Sequence, residues 1–254
     1  MLFALLLSGL AGLSTGIGGL AVLFFRRPGD RMMAFSLGFA AGVMTTVSLS
    51  DMLPHTVATY GETMLPASAA FCSASLCFMG MITALLLEKC VPGEEETAVS
   101  RSGARAGALR SAMVTTAAIV LHNLPEGILT LFTGYADPTL GLTLAAAVAL
   151  HNIPEGFAIS VPVYYATGSR ARGVWYALAS GLAEPAGAVL AFSLLRNFLS
   201  PLFLNGLIAL IAGVMLYVSI SELLPQAFAR GCRGSVVAGL CLGILVMSIG
   251  IYLV

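Results

Sequence analysis

Apolar residues in this chain run on for about twenty positions at a time, and polar residues collect between the runs. The runs fall near residues 2–25, 32–53, 66–87, 111–133, 139–165, 173–196, 202–224 and 235–253. Each approaches the ~20 residues that a helix needs to cross ~30 Å of hydrocarbon. The pattern predicts an all-α membrane protein of eight transmembrane helices in one domain over residues 1–254. Composition agrees: 58% of the residues are hydrophobic and only 9% charged, against roughly 25% charge in a soluble domain.

Charge placement then orients the spans, because positive residues stay on the cytoplasmic side. The loops after spans 1, 3, 5 and 7 hold Arg26, Arg27, Arg31, Lys89, Arg101, Arg105, Arg110, Arg170, Arg172, Arg230 and Arg233, whereas the other loops hold Arg196 alone. Both termini are therefore expected outside. The first span has its basic residues behind it, the reverse of a signal peptide, and reads as a retained helix. No basic run fits nucleic acid. Cys72, Cys77, Cys90, Cys232 and Cys241 show no paired spacing and read as small buried hydrophobes. The stretch 88–110, with Pro92-Gly93 and three successive glutamates, reads as a flexible cytoplasmic loop.

Span 2 carries AGVMTTVSLSDMLP over 41–54 and span 7 carries AGVMLYVSISELLP over 212–225, identical at nine of fourteen positions. SGLA recurs likewise at 8–11 and 180–183, in spans 1 and 6. The loop charges run spans 2 and 7 in opposite directions, so the repeat is inverted, a design that transporters build around midplane sites. The halves differ at one place: Gly12 in span 1 corresponds to Glu184 in span 6, followed by Pro185.

Spans 4 and 5 each contain the box His-Asn-x-Pro-Glu-Gly, at 122–127 and 151–156. An ionisable residue costs about 2.5–3.5 kcal/mol at the centre of a membrane helix, so it is seldom there without a task. Residues three and four apart share a helix face. His122 and Asn123 therefore converge with Glu126, and His151 and Asn152 with Glu155. Pro125 and Pro154 free the carbonyls of Leu121 and Leu150, which is tolerated at depth only where protein or a water-filled cavity covers them. Imidazole, carboxylate and amide oxygen together suit first-row divalent ions, Zn²⁺ and Fe²⁺ ahead of Mg²⁺ or Ca²⁺. Glu126, Glu155 and Glu184 supply three negative charges, which fits a midplane site where glutamates bridge two ions. Met44 and Met215 read on their own as core fillers, and His55 as a solvated residue at the outer end of span 2. Asp51 and Glu222 lie near opposite mouths.

HNLPEG and HNIPEG on successive spans, SGLAEP in span 6 and the SxSDMLP/SxSELLP pair resemble the ZIP (zinc and iron permease) family, most of all its bacterial ZupT type. Residues 31–41 and 149–170 match that type closely as well. The resemblance spans essentially the whole chain. It implies a 3+2+3 bundle with inverted outer repeats in a bacterial inner membrane. It also implies import into the cytoplasm of Zn²⁺, with Fe²⁺, Mn²⁺ and Co²⁺ as further cargo, and no cofactor. By position, His122, Glu126, Glu155 and Met44 match a first metal site, and Asn123, Glu126, Asn152, Glu155 and Glu184 a neighbouring one. By the deduced topology His151 lies on the outer side of Glu155 and His122 on the inner side of Glu126; Asp51 lies where an entrance residue is expected, and Glu222 matches a polar position near the exit. Unlike many members, the 88–110 stretch has no histidine, and Asn152 stands where some members carry an acid. The metal ions and the bilayer are the expected partners, and a homodimer is one arrangement the reading admits.

Two rival functions are considered. An intramembrane metal-dependent hydrolase would want a second histidine and a base beside the metal, as in His-Glu-x-x-His, and neither box has it. A metal sensor without flux would have no use for an inverted repeat.

Overall fold

The computed structural model describes residues 1–24, 29–90, 101–195 and 200–253, all of whose regular elements are helical. In chain order they are α1 (Leu2–Gly19, ending in a 3₁₀ turn), α2 (Asp30–Val47), α3 (Leu53–Gly61), α4 (Pro66–Cys90), α5 (Arg101–Ala136), α6 (Pro138–Thr167), α7 (Arg170–Gly181), α8 (Ala183–Leu190), α9 (Pro201–Tyr217), α10 (Leu224–Ala229) and α11 (Arg233–Leu253). The ends follow local chemistry. Ser200 caps α9 by accepting from the Phe203 amide at 3.1 Å, with Pro201 at the first helical position. Gly168 and Gly231 close α6 and α10 at φ of 69° and 73°, where a side chain is disfavoured.

Among the described residues, seven helical segments are long and apolar enough to cross a membrane: Leu2–Phe24, Asp30–Gly61, Pro66–Leu86, Gly141–Thr167, Arg170–Ser193, Leu202–Ala229 and Arg233–Tyr252. They coincide with seven of the eight expected runs. The remaining run, 111–133, falls in α5, where several side chains lie outside the described residues. The expected loop also narrows. Residues 88–90 continue α4 and residues 101–110 open α5, since Ala104, Ala106, Ala108 and Leu109 favour a helix. Residues 91–100, and the side chains of Lys89 and Cys90, lie outside the described residues.

Spans 2 and 7 are not plain α-helices. Pro54 and Pro225 have no amide hydrogen to give, and ahead of each the helix widens into a π turn, Ser48–Met52 and Val218–Leu223. The Leu53 amide reaches back five residues to the Ser48 carbonyl, and the Leu224 amide to the Ser219 carbonyl. Ser48 Oγ donates to the Met44 carbonyl and Ser219 Oγ to the Met215 carbonyl, both at 2.8 Å. The same local structure has been made twice, 171 residues apart.

Packing repeats too. A β-carbon on Gly42 would run into the Leu240 carbonyl, and one on Gly213 into the Cys77 carbonyl. One on Gly243 would meet the Phe39 carbonyl, and one on Gly80 the Leu210 carbonyl. Gly42 and Gly213 are 171 residues apart, as are Phe39 and Leu210; Gly80 and Gly243 are 163 apart, as are Cys77 and Leu240. The α2–α11 seam in one half therefore recurs as the α9–α4 seam in the other, carrying the likeness into spans 3 and 8, where sequence identity alone did not reveal it. Met33, Leu37, Met44, Ile159, Met215 and Leu223 are fully buried between these layers.

At one end of the molecule three elements are tied by polar groups. Arg230 at the end of α10 pairs with Asp30 at the start of α2 (3.1 Å), Tyr165 near the end of α6 donates to the same carboxylate (3.1 Å), and the Arg230 guanidinium lies 4.5 Å from the Tyr165 ring centroid.

Candidate metal centre

The two boxes lie on α5 and α6 and are pressed from outside by α8 and α1. A β-carbon on Gly127 would collide with the Glu184 carbonyl, and one on Gly187 with the Leu124 carbonyl. On the other box, Gly156 meets the Thr15 carbonyl and Gly18 the Ile153 carbonyl in the same way. The final glycine of each box thus lets a neighbouring backbone come to van der Waals range, at the level of the box glutamate.

The carboxylates and amides of the boxes are deep. Asn123, Asn152 and Glu184 expose none of their surface, Glu155 exposes 2%, and Glu126 is half-buried. Asn152 sits at the junction: its Nδ2 donates to the Ala11 carbonyl at 3.0 Å and to Glu184 Oε1 in a short hydrogen bond. Asn123 Nδ2 donates to the Ser180 carbonyl at 3.2 Å. With both amide nitrogens anchored, the two Oδ1 atoms are buried acceptors, and neither has a hydrogen-bond partner among the described residues. A buried acceptor left so costs about 1–3 kcal/mol, recovered when a cation or its water arrives.

Span 6 is interrupted for one residue, Leu182, just before Glu184. Pro185 cannot donate to the Gly181 carbonyl, so α7 stops at Gly181 and α8 restarts at Ala183. The sequence signal for this interruption is Pro185. A β-carbon on Gly12 would strike the Gly181 carbonyl and lie 3.4 Å from Glu184 Cβ. Met44 is 1% exposed. The Phe39 and Phe157 rings meet edge to face at 5.9 Å, linking α2 to α6. Asp30 meets Tyr165 and Phe39 meets Phe157, so α2 and α6 run antiparallel, and five residues on from the ring contact come Met44 on one and Asn152 on the other.

The expected residues thus divide. The structure brings Asn152 to Glu184, sets Gly127 of the first box against the Glu184 backbone and ties Asn123 to the chain just before it. Asp51 and Glu222 sit apart on the two π turns, about 10 Å of helix rise from Met44 and Met215. The backbones of His122 and His151 are helical, but their side chains lie outside the described residues. Among the described residues no three of His, Cys, Asp and Glu converge closely enough to hold an ion by themselves. The convergence seen is of carboxylate with amide, which sequence spacing within one box could not show because the partners come from different helices.

Comparison with known proteins bears on the same segments. A family model described as ZIP Zinc transporter matches residues 92–250. The chain is 39% identical over 256 residues to the "Zinc transporter ZupT" of Chlorobium limicola, covering 98% of this chain and 96% of that protein. It is 40% identical to the protein of that name from Corynebacterium efficiens (100% and 97% covered) and 41% identical to the one from Stenotrophomonas maltophilia (96% and 92%). On a match of this extent, with both boxes inside the matched region, the chain belongs to the ZIP zinc transporter family.

Proposed function

We propose that this protein imports divalent transition-metal ions, Zn²⁺ first and Fe²⁺, Mn²⁺ and Co²⁺ with it, from outside into the cytoplasm across a bacterial inner membrane. The relatives' printed names speak of zinc transport, and the ligand chemistry of the boxes speaks of first-row ions. In this reading His122, Glu126 and Glu155, with Met44 above them, hold one ion. Asn123, Asn152 and Glu184 join the same glutamates around a second, and His151 lies on the outer side of Glu155. Asp51 marks the outer mouth and Glu222 the inner one. Eight spans with both termini outside and inverted outer repeats complete the proposal, which the recurring π turns and glycine seams support. One chain supplies every ligand, so the site needs no second copy, and a homodimer is compatible with it.

The observation that carries the reading is the pair of amides. Each asparagine anchors its nitrogen on a neighbouring helix and leaves a buried oxygen without a donor among the described residues. An acceptor set of this kind beside Glu184 suits a cation and would be a liability in a purely structural core. Flexible carboxylates with neutral ligands can strip water from an ion and still release it, as conduction requires. Zn²⁺ uptake by purified protein in liposomes tests the reading. Glu126→Ala and Glu155→Ala should each abolish uptake while the protein still elutes as a folded species. Near-normal uptake in either variant refutes the site, and absence of uptake in the parent protein would favour a sensor.

A further inference from the structure

Of the three histidines, the importer reading leaves one without a task. His55, on the first turn of α3, is exposed, as is Asp51 on the π turn just before it. The positions 171 residues later are Gln226 and Glu222, on α10 and the matching π turn. There the two side chains meet: Gln226 Nε2 donates to Glu222 Oε2 at 2.9 Å.

The backbone beneath both pairs is the same, with the same five-residue hydrogen bond and the same serine bonded to a methionine carbonyl at 2.8 Å. The first and fifth positions therefore lie on one face at both π turns, with Asp51 one methylene shorter than Glu222 and His55 carrying a ring nitrogen in place of the Gln226 amide. A metal ligated at about 2.0–2.2 Å by an imidazole nitrogen and a carboxylate oxygen holds the two atoms about 3–3.5 Å apart, within about half an ångström of the 2.9 Å between Gln226 and Glu222.

We infer that Asp51 and His55 form a metal-capture site at the outer mouth, which binds a divalent first-row ion such as Zn²⁺, with waters filling its other positions, before the ion moves to the midplane. Its place in a pathway rests on the importer reading; its ability to bind metal does not. Two protein ligands hold an ion loosely enough to pass it on. The inner mouth carries an amide where the outer one carries an imidazole, and an amide nitrogen is a donor, not a ligand. A first-row ion is thus held more firmly at Asp51–His55 than at Glu222–Gln226, the ordering that capture outside and release inside require.

The test uses full-length protein in proteoliposomes with its five native cysteines replaced by alanine and His55→Cys introduced, labelled from outside with an impermeant maleimide. Thiolate is itself a zinc ligand, so micromolar Zn²⁺ should slow labelling by about fivefold or more, and adding Asp51→Ala should remove that protection. Protection should persist when Glu126→Ala and Glu155→Ala empty the midplane. No protection, protection that survives Asp51→Ala, or protection lost with the midplane glutamates overturns the capture site. In transport, His55→Gln, which copies the inner mouth, should raise KM for Zn²⁺ about fivefold to tenfold with kcat within about twofold; an unchanged KM overturns the proposal. Transport that survives Glu126→Ala would sink the midplane reading alone, since the labelling result does not depend on it.

Discussion

Asn152→Asp changes one atom type at the most crowded polar junction in the protein. In the parent chain Nδ2 gives one hydrogen to the Ala11 carbonyl at 3.0 Å and one to Glu184 Oε1. Aspartate presents an oxygen in that place. The bond to a neutral carbonyl is worth about 1 kcal/mol and the bond to a carboxylate about 1.5–3 kcal/mol, and both are replaced by oxygen facing oxygen. Two carboxylates about 3 Å apart repel by roughly 5 kcal/mol at an effective dielectric constant of 20, so one of them takes up a proton and the net loss settles at about 3–5 kcal/mol. At about 2–4 °C per kcal/mol for a chain of this size, the metal-free variant should melt roughly 10 °C below the parent in a fluorescence-detected thermal scan. Zn²⁺ reverses the sign of the effect, because a cation between two carboxylates is better held than one between a carboxylate and an amide. The upward shift in Tm on adding Zn²⁺ should therefore be larger in the variant than in the parent. Asn123→Asp is the control: it loses only the bond to the Ser180 carbonyl at 3.2 Å and should cost less. Equal melting of parent and Asn152→Asp without metal, or an equal Zn²⁺ shift, refutes the junction as described.

Three other outcomes follow from the same packing. Gly127→Ala drives a methyl group into the Glu184 carbonyl, so α8 must retreat at about 1–3 kcal/mol; Zn²⁺ uptake should fall well beyond the fall in folded protein, and uptake unchanged per folded molecule would contradict the contact. Arg230→Ala removes a pair whose Asp30 side chain is 61% exposed, so after screening the salt bridge and the Tyr165 contact together are worth under about 1.5 kcal/mol. Its Tm deficit should shrink in high salt; a deficit of 10 °C insensitive to salt would show the tie to be a structural keystone. If the loop charges set orientation, Asp137→Cys should react with an impermeant thiol reagent added outside while native Cys90 does not, and the opposite labelling would invert the pathway.

The long apolar runs and the doubled box were legible because both depend on local rules. Hydrocarbon demands about twenty apolar residues, and helical spacing puts His122 and Glu126 on one face whatever surrounds them. Seven expected spans appear where the runs lie. What the sequence hid depends on partners distant in the chain. The Asn152–Glu184 bond joins residues 32 apart on different helices. The π turns follow Pro54 and Pro225, yet Pro154 and Pro162 sit inside α6 without ending it, so proline alone does not say which distortion results. Residues 101–110 looked like loop because they are polar, but polarity marks contact with water and not the absence of a helix.

The two halves are near copies, yet the site cannot be symmetric, and the reason lies in four residues. Gly12 and Glu184 are equivalent positions, and in the folded chain they face each other: the space where a Gly12 side chain would begin is bounded by the Gly181 carbonyl and Glu184 Cβ. Only one of the two can carry a side chain there. Span 6 also carries Pro185, beside a one-residue interruption at Leu182 between α7 and α8, whereas its counterpart Leu13 lies inside an unbroken α1. Gly12 thus makes room for the Glu184 side chain. The third carboxylate, Glu184, comes from one repeat only and meets Asn152 of the second box. An inverted frame can give a transporter two related conformations. In the proposed importer, the difference between Gly12 and Glu184 would make the centre chemically different as seen from its two sides.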